Sequence, residues 1–527
     1  MDWSFPFRSQ RMPVLADNIV ATSQPLAAQA GVSMLAQGGN AIDAAIATAA
    51  ALTVVEPVMN GLGSDAFAQV WDGQRMHALN ASGRSPLAWT PERFAGRDRM
   101  PTEGWDSVTV PGAVDAWITL WKRFGTLPLA TLFAPAIRYA EQGFTVSPIV
   151  ARQWATLAPR LKDQPGFAET FLPGGAPPKA GERMSFPAMA RTLRRIAETE
   201  GRAFYEGEIA DAIAAHAAKH GGALTKEDLA AHTSDWVEPL TLAYRGVDVL
   251  ELPPNGQGVA VQIALGVLSH FDLGPDVPLA TRMHLQIEAM KIGFADAYRW
   301  VTQPDLMPLA PADLIDAGYL ASRAKTLDPN RAQAWQPRTL PGGNTVYLAT
   351  ADAMGHVVSF IQSNFQGFGS GVVVPEVGVS LLNRGSGFSL DPSHSNFVAG
   401  GKRTFHTIIP AMLMQGGKPL GALGVVGADM QPQGQLQVIS HMIDGGRNPQ
   451  SAVDAPRWRI AEEDGRIKLE SGVPPEVATA LAAMGHDVAP MSPPGAPEFG
   501  GAQLLWRVGD GWAGASDPRK DGCAAGF

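Results

Sequence analysis

The spacing of hydrophobic positions changes along this chain, and each change predicts an element. Ser23-Gln24-Pro25 reads as a helix start, with the proline in the first turn where its missing N–H costs nothing. The helix runs to about residue 37 and stops at Gly38-Gly39. A second, alanine-rich helix spans 41 to about 53 and is apolar on every side, which predicts burial all round. The glycine-containing loop 56–65 follows, and then 66–71 alternates like a strand. From 111 to about 221 the pattern is mainly helical with proline breaks, and 283–300 (MHLQIEAMKIGFADAYRW) predicts a strong amphipathic helix. The stretch 302–344 is looser and polar, and it ends in Pro341-Gly342-Gly343-Asn344, the composition of an exposed, flexible loop. Beyond it, 346–351 and 356–362 predict paired strands around the turn 352–355. Strand-like segments dominate to about 444, so a helix-rich region is followed by a loop and a strand-rich final third. No repeat, heptad or low-complexity tract interrupts this order.

Composition narrows the function classes. The 527 residues are 45% hydrophobic and 17% charged, an ordinary globular balance. A formal net charge of −9 without a long basic run argues against nucleic acid or anionic lipid as a partner. One cysteine, Cys523, can form neither an internal disulfide nor a cysteine metal cage. The first residues, MDWSFPF, lack the pattern of a signal peptide, and no apolar run reaches the length of a membrane span. These readings predict a soluble cytoplasmic protein.

Asn344-Thr345 lies at the junction of loop and strand. A threonine hydroxyl is a poor nucleophile alone. Freed as a chain N-terminus it gains an amine with a pKa of about 7.7–8.0, able to take the hydroxyl's proton near neutrality. The plain alternative is a threonine that opens a β-strand.

The chain resembles the gamma-glutamyltransferase family across nearly its whole length. The resemblance is carried by GGNAIDAAIATAAALTVVEPVMNGLGSDAF (38–67), VPGAVDAW (110–117), FGTLPLATLFAPAIRYAEQGF (124–144), MHLQIEAMKIGFADAYR (283–299), GNTVYLATADAMGHVVSF (343–360), GFGSG (367–371) and GASDPRKDG (514–522). It implies an α/β (α+β) chain folded as a four-layer αββα sandwich of the N-terminal nucleophile hydrolase type. It also implies self-cleavage between Asn344 and Thr345 into a large subunit, 1–344, and a small subunit, 345–527, that together build one domain.

By the same resemblance Thr345 is the nucleophile and Ser363 the hydroxyl that tunes it. Gly427 is the first oxyanion-hole residue, with Ala428 in place of a second glycine; backbone N–H groups do that work, so alanine keeps the donor if its dihedrals permit. Arg84 matches the arginine that grips the substrate's carboxylate, a role suited to a two-pronged donor; a surface ion pair is its plain alternative. Other positions depart from the family. Its glutamine and aspartate, which hold an α-ammonium, become Arg384 and Gly387. The asparagine near the nucleophile becomes Phe365, and the paired serines become His406 and Thr407. A cation thus stands where an ammonium would bind, and bulkier groups shorten the acyl pocket. A solvent-facing Arg384 is the alternative.

These departures favour a carboxylate-bearing small-molecule amide, the monoamide of a dicarboxylic acid, over glutathione. Oxamate, cleaved to oxalate and ammonia, is the shortest such substrate, and the chain looks similar to the oxamate amidohydrolase branch. Its rivals are a glutaryl-amide acylase of the cephalosporin type, a gamma-glutamyl hydrolase or transferase, and a non-catalytic carboxylate-binding homologue. The expected chemistry requires no metal and no organic cofactor. Analogy allows a homodimer. His216 and His220, at i and i+4, lack the acidic ligand of a zinc site. Residues 367–371 lack the lysine of a phosphate loop. His284, Glu288 and Asp296 read as a buried polar network or a solvated face, and Trp105 and Trp117 as core.

Overall fold

The computed structural model describes residues 10–334, 343–493 and 495–527, with the backbone but not the side chain of Asn344. Pro341, Gly342 and the first seven residues lie outside the described residues. Two seven-stranded sheets form the centre. The first runs in the order Val14–Ala16, Gly511–Ser516, Gly501–Val508, Lys418–Val426, Ala411–Gln415, Val247–Glu251, Leu240–Tyr244. The second runs Cys523–Gly526, Ile19–Thr22, Asn344–Ala351, Val357–Phe365, Asp65–Trp71, Met76–Asn80, Asp235–Val237. Neighbouring strands pair antiparallel throughout.

Alternation along the strands separates three cores. Tyr347, Ala349 and Ala351 share the inter-sheet core with Phe67, Met412 and Ala422. Val346 and Leu348 face the opposite way, into a core built with the helices of the first half. The other sheet's outer face packs on Gly258–Leu268, Leu279–Trp300 and Met430–Ile443. The layers are therefore αββα. Tyr347 comes so close to the facing sheet that a Cβ on Gly424 would stand 2.1 Å from its ring. Glycine at 424 is what permits this spacing.

The predicted helices near the start form at Pro25–Ala36 and Ala41–Val55. Gln24 caps the first, and Asn40 with Asp43 forms a capping box on the second, which is buried along its whole length. The hairpin expected around 352–355 forms between Asn344–Ala351 and Val357–Phe365.

Three expectations change. Leu279–Trp300 is buried on most of its circumference instead of being amphipathic. Several of its polar groups are internal: Lys291 pairs with Glu288 at 2.7 Å, and His284 meets His486 at 2.8 Å. The stretch read as a loose loop holds the helix Ala317–Ala324 and short 3-10 turns at Pro304–Leu306 and Pro311–Ile315. The final third carries helices as well as strands, at Met430–Ile443, Pro449–Asp454 and Pro475–Ala483. Among the described residues no helix is long and apolar enough to cross a membrane.

Candidate active site around Thr345

The central hairpin is irregular at one point. Val346 pairs with Gln362, but Asn344 pairs with Phe365, so Ser363 and Asn364 stand opposite Thr345 alone. This is a β-bulge, which re-aims side chains locally. Thr345 is buried. Its hydroxyl donates to Ser363 Oγ at 3.2 Å and accepts from Gln431 Nε2 at 3.1 Å. Ser363 Oγ also accepts the Phe365 N–H at 2.8 Å. Gln431 is itself fixed, because its Oε1 accepts the Ile409 N–H at 3.1 Å.

Gly427 and Ala428 form the turn between the strand Lys418–Val426 and the helix Met430–Ile443. Their φ values are 121° and 52°. The first is glycine territory; the second is the left-handed region, which alanine enters at a cost of about 1–2 kcal/mol. The turn sits at the positive end of the helix dipole, where developing negative charge is favoured. Gln257 ties it to the neighbouring segment, donating from Nε2 to the carbonyls of Thr407 (2.7 Å) and Ala428 (2.9 Å).

Beyond Phe365 lies a buried cation. Arg384 opens the one-turn 3-10 helix Arg384–Gly387 and is 1% exposed, so the solvent-facing alternative falls. Its Nη1 donates to Thr407 Oγ1 at 2.9 Å, and its guanidinium lies 4.2 Å from the centre of the Phe365 ring. Its Nε and Nη2 are buried without a hydrogen-bond partner. Burial pulls this guanidinium down to about 9, opposed by the carboxylate of Asp65. Phe365 holds φ at +75°, rare for a side chain of this size and typical of strained functional positions.

His406 is committed to structure. Its Nδ1 accepts the Ile408 N–H at 3.3 Å, which leaves Nε2–H to donate to Asp65 at 3.0 Å. Burial, reinforced by Arg384 and Arg403, holds it well below the usual imidazole range. Asp65 also accepts the Gly83 N–H at 3.0 Å, and burial pushes its carboxyl up to about 7 against the pull of Arg384. Gly387 gives its carbonyl to Asn396 Nδ2 at 2.7 Å. Arg84 is exposed and donates to Gln303 Oε1 (2.8 Å) and to the Gly401 carbonyl (3.2 Å). The fold thus gathers Thr345, Ser363, Phe365, Arg384 and Thr407, with Gly427 and Ala428 held to them through Gln257. Gln431, Asp65 and Gln257 are contacts that sequence reasoning missed. The sequence signal for Gln431 is the unusual alternation of glutamines at 431, 433, 435 and 437.

Among the described residues, His284, Glu288 and His486 come close enough to hold an ion. Lys291 already supplies a cation to Glu288 there, and His284 Nε2 is directed at the Asp328 carbonyl at 2.9 Å. His216 lies in the helix Glu208–Lys219 with His220 as its C-cap, ring against ring.

Comparison with known proteins gives the chain its relatives. The family described as Gamma-glutamyltranspeptidase matches residues 27–527. A glutathione hydrolase-like YwrD proenzyme of Bacillus subtilis is 37% identical, over 97% of this chain and 98% of that one. An oxamate amidohydrolase proenzyme of Klebsiella pneumoniae is 36% identical, over 95% and 97%. The crystal structure of a cephalosporin acylase from Bacillus halodurans superposes with a TM-score of 0.95 at 47% identity, covering 100% of this chain and 99% of that one.

Proposed function

The chain belongs to the gamma-glutamyltranspeptidase family of amide-bond enzymes, and from that premise we propose that it is a self-processing hydrolase for the monoamide of a short dicarboxylic acid. The observation that carries the reading is Arg384, a buried guanidinium with two unpartnered nitrogens beside the ring of Phe365, whose N–H bonds the serine that meets Thr345. Leaving such donors unmatched costs stability, and a carboxylate matches them through two hydrogen bonds. An α-ammonium brought to the same place meets repulsion. Oxamate is the shortest substrate with this character, and glutaryl amides are the longer form.

In the precursor the Thr345 hydroxyl attacks the Asn344 carbonyl. The Asn344–Thr345 C–N bond breaks as the ester forms, which frees the Thr345 amine, and water then hydrolyses the ester to separate the chains and restore the hydroxyl. That amine then takes the proton of its own hydroxyl as the oxygen attacks the substrate amide. The N–H groups of Gly427 and Ala428 hold the tetrahedral oxyanion. The amine returns the proton to the departing nitrogen, and an activated water clears the acyl ester. Ser363 and Gln431 keep the hydroxyl aimed throughout. None of these steps calls for a metal or an organic cofactor.

The test is intact mass of the wild-type protein and of Thr345→Ala, followed by product release from oxamate, glutaramate and glutathione. The expected result is two fragments meeting at Asn344/Thr345 in the wild type only, with release from a dicarboxylic monoamide. Turnover of glutathione alone would refute the role given to Arg384. An uncut wild-type chain that still binds carboxylates would support the non-catalytic alternative.

A further inference from the structure

Arg384 and Asp65 are both buried and are set against one another, yet they do not touch as an ion pair. The Asp65 oxygens are spent elsewhere: Oδ2 accepts His406 Nε2–H at 3.0 Å, and Oδ1 accepts the Gly83 N–H at 3.0 Å. Arg384 gives Nη1 to Thr407 and keeps Nε and Nη2 bare. The guanidinium's charge is therefore balanced across a gap, while two of its donors stay unmatched. His406 and Thr407 are neighbours in sequence, so one short segment holds both ends of this arrangement. Asp65 also pairs in register with Ser363 across the sheet, which puts its side chain on the face of the serine that meets Thr345.

The other groups around Asp65 are already committed. Arg403 pairs with Asp235 and donates to the carbonyls of Ser82 (2.8 Å) and Thr233 (3.1 Å). Tyr205 donates to the Pro111 carbonyl at 3.0 Å, and burial keeps its phenol protonated. Burial likewise keeps His406 neutral. A substrate carboxylate docked on the bare nitrogens of Arg384 changes this balance. Two carboxylates then share one guanidinium in a buried site, and like charges so placed raise the proton affinity of one of them.

We propose that Asp65 is the resident counter-charge of Arg384, and that it takes a proton from solvent as the substrate's carboxylate arrives, so that the site binds anion and proton together. The inference rests on the reading of Arg384 as the carboxylate's partner. A free carboxyl titrates near about 4, whereas burial has pushed Asp65 up to about 7 against the pull of Arg384. The proton therefore goes to Asp65 and not to the ligand. A carboxylic acid keeps accepting lone pairs, so the hydrogen bonds from His406 and Gly83 survive the change. Affinity for the carboxylate is full below about pH 7 and falls as pH climbs, because each binding event must then draw a proton from scarcer supply.

The test is calorimetric titration of the processed protein with oxalate and with glutarate, in two buffers of different ionisation enthalpy, for wild type, Asp65→Asn and Arg384→Gln. A freed Thr345 amine titrates in the same range, so the share of Asp65 is read as the difference between wild type and Asp65→Asn, which keeps that amine. At pH 7.5 wild type should take up about half a proton more per ligand than Asp65→Asn. Between pH 6.5 and 8.5 its Kd should rise about five- to twentyfold more than that of the variant. Infrared difference spectra of wild type should gain a protonated-carboxyl band when ligand is added, a readout that needs no variant to fold. Equal uptake in wild type and Asp65→Asn, or no such band, overturns the role given to Asp65 while loss of binding in Arg384→Gln keeps the reading of Arg384. Undiminished binding by Arg384→Gln, or no binding of either ligand by wild type, overturns that reading and the proposal with it.

Discussion

A hydroxyl attacks well only when its lone pair is aimed, and two side chains aim Thr345: Ser363 as acceptor and Gln431 as donor. In the mechanism proposed above Gln431 is a positioning residue, acting through Thr345. Gln431→Ala removes one hydrogen bond worth about 1 kcal/mol. It should lower kcat about five- to tenfold with KM little changed, and lengthen the half-time of chain cleavage in proportion. A change in KM alone would place Gln431 in substrate binding instead. The pairing of Thr345 with Ser363 was expected because Thr345 lies in the motif 343–360 and Ser363 follows it at a fixed count, and the two hydroxyls do meet. Gln431 was not expected. Four glutamines alternate there, and Gln433, Gln435 and Gln437 spend their amides on backbone carbonyls. Only the fold decides which one reaches the threonine. Arg384 was legible as a substituted position, but its burial, which makes its bare nitrogens costly, was not.

Elements were legible where hydrophobic period and caps agree. The two N-terminal helices and the central hairpin fall within a few residues of their expected ends. The segment 283–300 was read as amphipathic, with Glu288 and Asp296 left between a solvated face and a buried polar network. The network is what forms: Glu288 pairs with Lys291, and Asp296 with Arg323 and Tyr319. Periodicity counts charges but not their neutralisation. Close approach between sheets was equally invisible. Gly424→Ala would drive a methyl group into the Tyr347 ring. We expect a loss of about 1–3 kcal/mol in denaturant unfolding, and little further loss when Gly424→Ala is added to a Tyr347→Ala background, because the two sites share one contact. Additive losses would mean that the sheets separate freely.

For the molecule as a whole, buried acids set the response to pH. Burial pushes Glu56 and Asp65 up to about 7 and Glu251 well above the carboxylate range. Each binds its proton more tightly in the folded than in the unfolded chain, where carboxyls titrate near about 4. Their contribution to stability is therefore complete below about pH 4 and is lost as pH climbs toward 7 and beyond. Glu251 has no hydrogen-bond partner on either oxygen. Glu251→Gln keeps its shape and cannot ionise. Its melting temperature, relative to wild type, should rise steadily from about pH 5 to about pH 8. A constant difference across that range would contradict the proton uptake.

The order of strands in the second sheet has a consequence for when the chain can be cut. Asn344–Ala351 and Val357–Phe365 lie between Ile19–Thr22 and Asp65–Trp71, and the outermost strand, Cys523–Gly526, is the last of the chain. A ribosome that has made only the first 344 residues has therefore completed neither sheet, and Thr345 has not yet met Gln431. The proposed cleavage is timed by synthesis: its machinery is assembled only after the later strands have threaded between the earlier ones. Two genes encoding the halves separately would have to reproduce that threading between independent polypeptides, which explains why a single open reading frame suits this architecture.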